Sequence, residues 1–334
     1  MSNRWPGGLI RKTPVTPAGP FQNGAASGVW SLADASYWLK QGLWPIAGNV
    51  VDGTFAIFSL GNNSTTRKKY TFSGCVISAA ANATACSYAG SAVGNSTVGI
   101  FSLGFVSFVN STLRNKYTYA GCAVSAGGAA TVAARNGSAA GNSTVGIIAL
   151  GYTASGTTTR DKYTYSGCVV SAGGAATVAS SSGSAAGNST VGIFALGSAP
   201  CTSTTRNKYT YSGDVVSAGG AATVASFAGS AAGNSTVGIF ALGNAPTRVT
   251  TRNKYTYSGD VVSAGGAATV ANNSGSAAGN STVGIFALAV CASCNYKVTN
   301  KYTYSGCAVA AGASFATNLS SPTATSNGIA GITV

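Results

Sequence analysis

Hydrophobic and polar residues alternate in a short segment that recurs along most of the chain. In residues 206–212 (RNKYTYS), arginine, lysine and threonine fall on one side of an extended backbone, and the two tyrosines fall on the other. A period of two predicts a half-buried strand with aromatic side chains on its inner face. Residues 190–196 (TVGIFAL) are almost continuously apolar and short enough to form a buried strand.

The segments between these two also predict strands. "DVVSAGGAATVA" and "GSAAGNST" are rich in small and β-branched residues and contain Gly-Gly and Gly-Asn pairs, which favour turns. Each unit therefore predicts about four short strands and no helix.

The unit repeats at a nearly constant interval. Its Lys-Tyr-Thr-aromatic segment begins at positions 69, 116, 162, 208, 254 and 301, and the spacings are 47, 46, 46, 46 and 47 residues. Four strands in about 46 residues is the size of a propeller blade. We therefore expect residues 51–334 to form an all-β, six-bladed β-propeller, with residues 55–60 pairing with 329–334 to close the ring. A right-handed β-solenoid is the alternative architecture.

The first 50 residues differ from the repeats. They contain all four tryptophans (Trp5, Trp30, Trp38 and Trp44) and five of the eight prolines. Frequent proline favours extended backbone, and Ser31 followed by Asp34 predicts the start of one short helix over residues 32–41. We expect residues 1–50 to form an extended attachment arm in which the tryptophans contact a partner.

The composition argues against catalysis. The chain has no histidine and no glutamate, and only five aspartates. Acid–base catalysis usually depends on histidine or paired carboxylates. Asp214 and Asp260 occupy a repeat position that holds cysteine in the other units, so we interpret this position as a small residue at a strand bend. The sequence predicts a non-enzymatic protein with no cofactor.

The cysteines do not form a familiar metal motif. Four occupy equivalent repeat positions (Cys75, Cys122, Cys168 and Cys307), and Cys291 and Cys294 form a single C-x-x-C pair. A structural zinc site normally needs two such pairs or a mixture with histidine. We expect free thiols and no metal. The recurring Asn-Ser-Thr matches a glycosylation sequon, but we expect an unmodified turn.

Basic residues recur with the repeat, and the net charge is +14. Two explanations are open: a multivalent surface that binds anionic glycans, or basic side chains that protect an outer strand edge from aggregation. Nucleic acid is disfavoured because the charges form no stripe or tail. The candidate surface residues are Arg67, Lys69, Arg114, Lys116, Arg160, Lys162, Arg206, Lys208, Arg252 and Lys254.

Two parts of the chain resemble bacteriophage proteins. "RWPGGLIRK", "SGVWSL" and "GLWP" resemble the N-terminal segment of structural proteins of tailed bacteriophages, including cyanophages, and "KYTYSGDVV" and "GNSTVGIFALG" resemble kelch-like repeats of tail-fibre and virion proteins. The later tryptophan of the strict kelch pattern is absent here.

The resemblance implies a virion protein, such as a tail fibre, made in the host cytoplasm. The arm would contact other virion proteins, the propeller would contact host-surface glycans, and the protein would be a homo-oligomer on the particle. Alternatives are a purely structural decoration or baseplate protein and a free glycan-binding lectin. The N-terminus lacks an apolar stretch typical of a signal peptide, and we expect no membrane insertion.

Overall fold

The computed structural model describes residues 53–199, 201–289 and 297–328, together with residues 3–4, 29–30, 33–34 and 36–37. Contacts divide the chain into two compact units, Met1–Val51 with Thr333–Val334, and Asp52–Ile332. In the first unit, Asn3–Arg4 pairs with Val29–Trp30, and residues 33–34 and 36–37 are helical. These helical residues lie within the helix predicted over 32–41, whose other positions lie outside the described residues.

The described part of the second unit contains six four-stranded antiparallel sheets. We number them 1 to 6, and call the four strands of each sheet inner, second, third and outer. For sheets 1 to 6 in turn, the inner strands are Thr323–Ser326, Ser91–Gly94, Ser138–Gly141, Ser184–Gly187, Ser230–Gly233 and Ser276–Gly279. The second strands are Phe55–Ser59, Val98–Ser102, Val145–Ala149, Val191–Ala195, Val237–Ala241 and Val283–Ala287.

The third strands are Arg67–Thr71, Arg114–Thr118, Arg160–Thr164, Arg206–Thr210, Arg252–Thr256 and Thr299–Thr303. The outer strands are Val76–Ala80, Ala123–Ala126, Val169–Ala172, Val215–Ala218, Val261–Ala264 and Ala308–Ala311. Smaller elements are the strands Ser87–Tyr88, Phe105–Val106, Val109–Asn110, Ser198–Ala199 and Cys201–Thr202, and the 3-10 turns Ala120–Cys122, Ser166–Cys168, Ser258–Asp260 and Ser305–Cys307.

Sheet 1 is built from both ends of the repeat array. Its inner strand, Thr323–Ser326, pairs with Phe55–Ser59 in the register Ala56 to Ser326. Pairing between the first and last segments was predicted, but the partner segment is 323–326, and residues 329–334 lie outside the described part. Each inner strand contacts the inner strands of the neighbouring sheets, and Thr323–Ser326 contacts Ser91–Gly94.

The arrangement is therefore all-β, repeated and propeller-like. Strands are antiparallel within each repeat, whereas the β-solenoid alternative would pair strands in parallel between coils. The inner strands consist mostly of serine, alanine and glycine, because six strands that converge leave little room for larger side chains.

The hydrophobic core lies between consecutive sheets. Ile239 of sheet 5 packs with Phe286 and Tyr302 of sheet 6, and Ile193 of sheet 4 packs with Phe240 and Tyr255 of sheet 5. Both sides of each sheet are consequently covered by neighbouring sheets. Each repeat completes the core of the next one, which explains why nearly the same sequence recurs.

The second tyrosine of the Lys-Tyr-Thr-Tyr segment explains why two positions of the same sheet are glycine. The Tyr257 hydroxyl lies 2.6 Å and 2.8 Å from the positions that a Cβ atom would take at Gly233 and Gly238. Sheets 2 to 6 have this combination of one tyrosine and two glycines. In sheet 1 the tyrosine is replaced by Phe72, and the two glycines are replaced by Ser326 and Ala56. Where the hydroxyl is absent, the sequence fills the space that it would occupy.

We expect Gly238→Ala to destabilise the protein by about 1–3 kcal/mol, because the added methyl group overpacks the Tyr257 hydroxyl. Combining it with Tyr257→Phe should recover most of this loss, since the double variant copies Ala56 and Phe72 of sheet 1. Urea denaturation of the two single variants and the double variant measures the coupling. Equal losses in Gly238→Ala and in the double variant would contradict it.

Candidate functional site

The five arginines of the predicted basic surface are buried. Arg67, Arg160, Arg206 and Arg252 are 1% exposed, and Arg114 is 3% exposed. They begin the third strands, which pair on both sides with other strands of their sheet. The expected exposed ring is therefore wrong for the arginines. The alternative, that they protect an outer edge, is also wrong, because the outer strands contain no charged residue.

Each buried arginine connects its sheet to the next one. The Arg206 guanidinium lies over the Phe240 ring, 4.6 Å from its centroid, and its Nη2 donates to Asn253 Oδ1 at 3.1 Å. Its Nη1 donates to the Gly220 carbonyl at 3.4 Å. The same Arg–Asn bond joins three other pairs of sheets, through Arg67–Asn115, Arg160–Asn207 and Arg252–Asn300.

Two interfaces between neighbouring sheets lack the Arg–Asn hydrogen bond. Between sheets 2 and 3 the acceptor is Asp161, which forms a buried ion pair with Arg114 at 2.6 Å. Between sheets 6 and 1, Thr299 replaces the arginine and Lys68 replaces the asparagine. The acceptor is thus lost at the interface that has no guanidinium donor. The buried arginines and their partners link neighbouring sheets to each other.

The lysines of the repeat are more accessible. The Lys162 and Lys208 ammonium groups form ion pairs with Asp214 and Asp260 of the following repeat, at 2.8 Å and 2.9 Å. Lys69 lies over the Phe55 ring, and Lys116 and Lys254 are half-buried. A role of these lysines in binding an anionic surface stays a prediction, and two of them are already paired.

The position shared by aspartate and cysteine is a bend, as predicted. Its six residues have φ between 51° and 56°, and each follows a glycine in the left-handed region. Partial burial opposes ionisation of Asp214, but hydrogen bonds from Lys162 and Tyr209 hold its carboxyl pKa below the ordinary value. It is therefore an ionised structural carboxylate. Cys75, Cys122, Cys168 and Cys307 occupy the other four positions, with thiols that the structure describes as free.

The Asn-Ser-Thr turns have a structural explanation. Asn188 Oδ1 accepts bonds from the Thr190 and Val191 amides, and its Nδ2 donates to the Ser235 carbonyl of the next repeat at 3.1 Å. The pattern recurs at Asn95, Asn142, Asn234 and Asn280. The asparagine closes its own turn and links adjacent sheets, which is what the turn prediction required. The predicted absence of a glycan stays a prediction.

The antiparallel order separates the repeat domain into two faces. In sheets 2 to 6, the turns between inner and second strands lie at one end of the sheet, and in all six sheets the turns between third and outer strands lie at that same end. Their sequences are nearly constant, and we call this end the constant face. Loops between second and third strands, and the connections into the next inner strand, lie at the opposite end. We call that end the variable face.

Differences among the repeats concentrate on the variable face. The loops span residues 61–66, 104–113, 151–159, 197–205, 243–251 and 289–298, and residues 200 and 290–296 within them lie outside the described part. The connections vary at Tyr88, Arg135, Ser181, Phe227, Asn273 and Ser320, which are equivalent positions. Tyr88 pairs with Phe105, Arg135 with Tyr152, and Phe227 with Asn244, so these variable residues contact variable loops.

The most elaborate part of the variable face is an aromatic cluster between sheets 2 and 3. The Arg135 guanidinium lies 4.5 Å from the Phe105 ring centroid and 4.9 Å from that of Tyr152. Tyr88 contacts Phe105 edge to face at 5.1 Å. Beside them, a hairpin places Phe108 at its tip, 76% exposed. The repeat alignment did not reveal this cluster, although the divergence of Arg135 and Tyr152 from the other repeats is a usable signal.

The structure shows less about the remaining predicted features. Trp5, Trp38 and Trp44, the candidate attachment residues, lie outside the described residues together with Cys291 and Cys294, and Trp30 lies in the short strand Val29–Trp30. Among the described residues there is no group of histidine, cysteine and carboxylate side chains that could hold a metal ion. No helix in the described segments is long and apolar enough to span a membrane.

No protein-family model matches the chain, and no curated protein matches it.

Proposed function

We propose that the chain is a non-enzymatic structural protein of a bacteriophage particle, of the tail-fibre type, and that its variable face contacts the host surface. In this proposal the six sheets are the blades of a six-bladed β-propeller. The N-terminal arm attaches the propeller to other virion proteins. The resemblance of residues 4–45 to tailed-phage structural proteins supports the setting.

The observation that carries the proposed role is the separation of constant and variable residues. Packing explains the constant residues, since tyrosines, arginines and turn asparagines all link neighbouring sheets. Packing does not explain why the repeats differ mainly at one end. A rigid frame that presents different loops on one face is typical of binding proteins, because loops tolerate change while the scaffold holds them in place.

The chemistry of the repeats also favours binding over catalysis. The only aspartates within the six sheets and their turns are Asp161, Asp214 and Asp260, and all three form ion pairs with a cation. Cysteine replaces the latter two in other repeats, so the position does not depend on a carboxylate.

Two measurements test the proposal. Mass spectrometry of purified particles should detect the chain at a stoichiometric level, and the purified chain should reduce phage adsorption to host cells. A chimera in which residues 104–113 are replaced by residues 197–205 should lose the competition while keeping its melting temperature. Presence in particles without any competition would instead favour a decoration or baseplate protein, and absence from particles would favour a free lectin.

A further inference from the structure

Arg135 differs from the five buried arginines of the third strands in having no polar partner. The five buried arginines each donate to an asparagine or an aspartate. Within the described part of the chain, the Arg135 side chain makes neither a hydrogen bond nor an ion pair. It is half-buried, and its contacts are with the faces of two aromatic rings. Its N–H donors are consequently available to a ligand.

The guanidinium is also held in place. Arg135 and Tyr152 exchange backbone hydrogen bonds at 3.0 Å and 2.7 Å, which fixes the two side chains beside each other. Phe105 is fixed by pairing with both Tyr88 and Asn110. Asn110 Nδ2 donates to the Thr153 carbonyl and so connects the hairpin to the loop of sheet 3. A side chain held in this way loses less conformational entropy on binding.

Its surroundings carry no competing charge. Asp161 is buried and paired with Arg114, and Asp214 and Asp260 lie in turns of the constant face. The described residues of the variable face therefore offer no exposed carboxylate to Arg135. A planar guanidinium with free donors matches the two oxygens of a carboxylate. The adjoining rings of Tyr88, Phe105 and Tyr152 offer flat apolar surface.

We propose that Arg135, with Tyr152, Phe105 and Tyr88 around it, is a binding site for a carboxylated saccharide. The guanidinium donates two hydrogen bonds to the sugar carboxylate, and the rings contact the C–H face of the sugar. Identification of the saccharide as a component of the host surface rests on the proposed function, whereas binding itself does not. The site occurs once, because the equivalent positions in the other repeats hold serine, phenylalanine, asparagine or tyrosine.

The next repeat supplies a matched control for the test. It has Ser181 and Ser198 at the positions of Arg135 and Tyr152, with the same backbone pairing. Arg135→Ser, Tyr152→Ser and the double variant therefore copy a natural solution of the fold and should keep the melting temperature. Arg248→Ser removes an exposed arginine of the variable face and controls for general positive charge. Arg135→Lys keeps the charge but loses the planar pair of donors.

Binding of the full chain to alginate oligosaccharides, which are carboxylated, is measured by titration calorimetry, with neutral dextran and dextran sulfate as comparisons. We expect alginate binding that Arg135→Ser weakens about 10-fold or more, as for a lost charged hydrogen bond. Arg135→Lys should also weaken it, and Arg248→Ser should change it by less than about 2-fold, as for a screened surface charge.

Three results would overturn the proposal: no alginate binding, equal losses in Arg135→Ser and Arg248→Ser, or binding to dextran sulfate alone. None of these results bears on whether the chain is present in phage particles. Conversely, alginate binding through Arg135 by a chain that is absent from particles would refute the proposed function and leave this site intact.

Discussion

Raising the pH above about 10 is expected to unfold the repeat domain in a steep transition. Eleven tyrosines of the third strands and their following turns lie in the core, and burial raises their pKa values. The affected residues are Tyr70, Tyr117, Tyr119, Tyr163, Tyr165, Tyr209, Tyr211, Tyr255, Tyr257, Tyr302 and Tyr304. The unfolded chain releases these protons near pH 10 and the folded protein does not, so rising pH favours the unfolded state.

The direction and the size of this pH effect on the free energy of unfolding follow from proton linkage. Burial raises the pKa of Tyr209 to about 12. The stabilisation that the protonated phenol contributes to the folded protein is therefore complete below pH 10 and is lost between pH 10 and 12. Each proton that the unfolded chain releases and the folded protein keeps adds about 1.4 kcal/mol per pH unit to the loss in the free energy of unfolding. Burial also lowers the pKa of Arg67, Arg160, Arg206 and Arg252 to about 10. Burial lowers the pKa of Arg114 as well. These five groups act in the opposite direction, and eleven phenols outnumber them.

Circular dichroism and the absorbance of tyrosinate, followed together against pH, test this expectation. The absorbance change of the eleven core tyrosines should coincide with the change in circular dichroism, because these phenols become accessible only when the sheets separate. Tyr257→Phe should reduce the number of protons released in that transition by one. Tyrosinate absorbance equivalent to more than four residues, the number of tyrosines outside this set, that appears near pH 10 while the circular dichroism stays native would contradict the result, since it would mean that core phenols ionise in the folded protein.

The same tyrosines illustrate what the sequence could predict. Their constant spacing and the period of two predicted six repeats, short strands and an aromatic inner face. Pairing between the ends of the array followed from the additional apolar segment before the first repeat. The partner segment was misplaced because the last repeat is degenerate, and the serine of "SNG" occupies the end of an inner strand and not the start of a second one.

The arginines illustrate what the pattern could not predict. A period of two separates the sides of a strand, but it does not say that the polar side also faces protein. In this propeller-like arrangement both sides of every sheet pack against neighbouring sheets, so Arg206 and Asn253 are buried together. The sequence did contain one indication of this contact, because the arginine and the asparagine are replaced together, by Thr299 and Lys68, at one interface. The cluster around Arg135 needed the structure, since it joins residues of two different repeats.

The buried ion pair between sheets 2 and 3 provides the largest expected effect of a single substitution. The side chains of Arg114 and Asp161 are fully buried, and Asp161 also accepts hydrogen bonds from the Thr131 amide and hydroxyl. Arg114→Ala leaves this carboxylate buried without a cation. Removing one partner of a buried pair typically costs about 3–5 kcal/mol. We expect a loss of this size in the free energy of unfolding, measured by urea denaturation.

Natural interfaces of the same chain supply the controls. Asp161→Asn recreates the Arg–Asn interface found at four other places, so it should change stability by less than about 1.5 kcal/mol, in the range of one neutral hydrogen bond. In the Asp161→Asn background, Arg114→Ala should cost clearly less than it does in the wild type, because the residue left unpaired is then neutral. Arg206→Ala, whose partner is Asn253, should match that smaller loss. If Arg114→Ala costs the same in both backgrounds, the charge of Asp161 is not what makes Arg114 necessary, and the loss of packing against its neighbours would explain the effect instead.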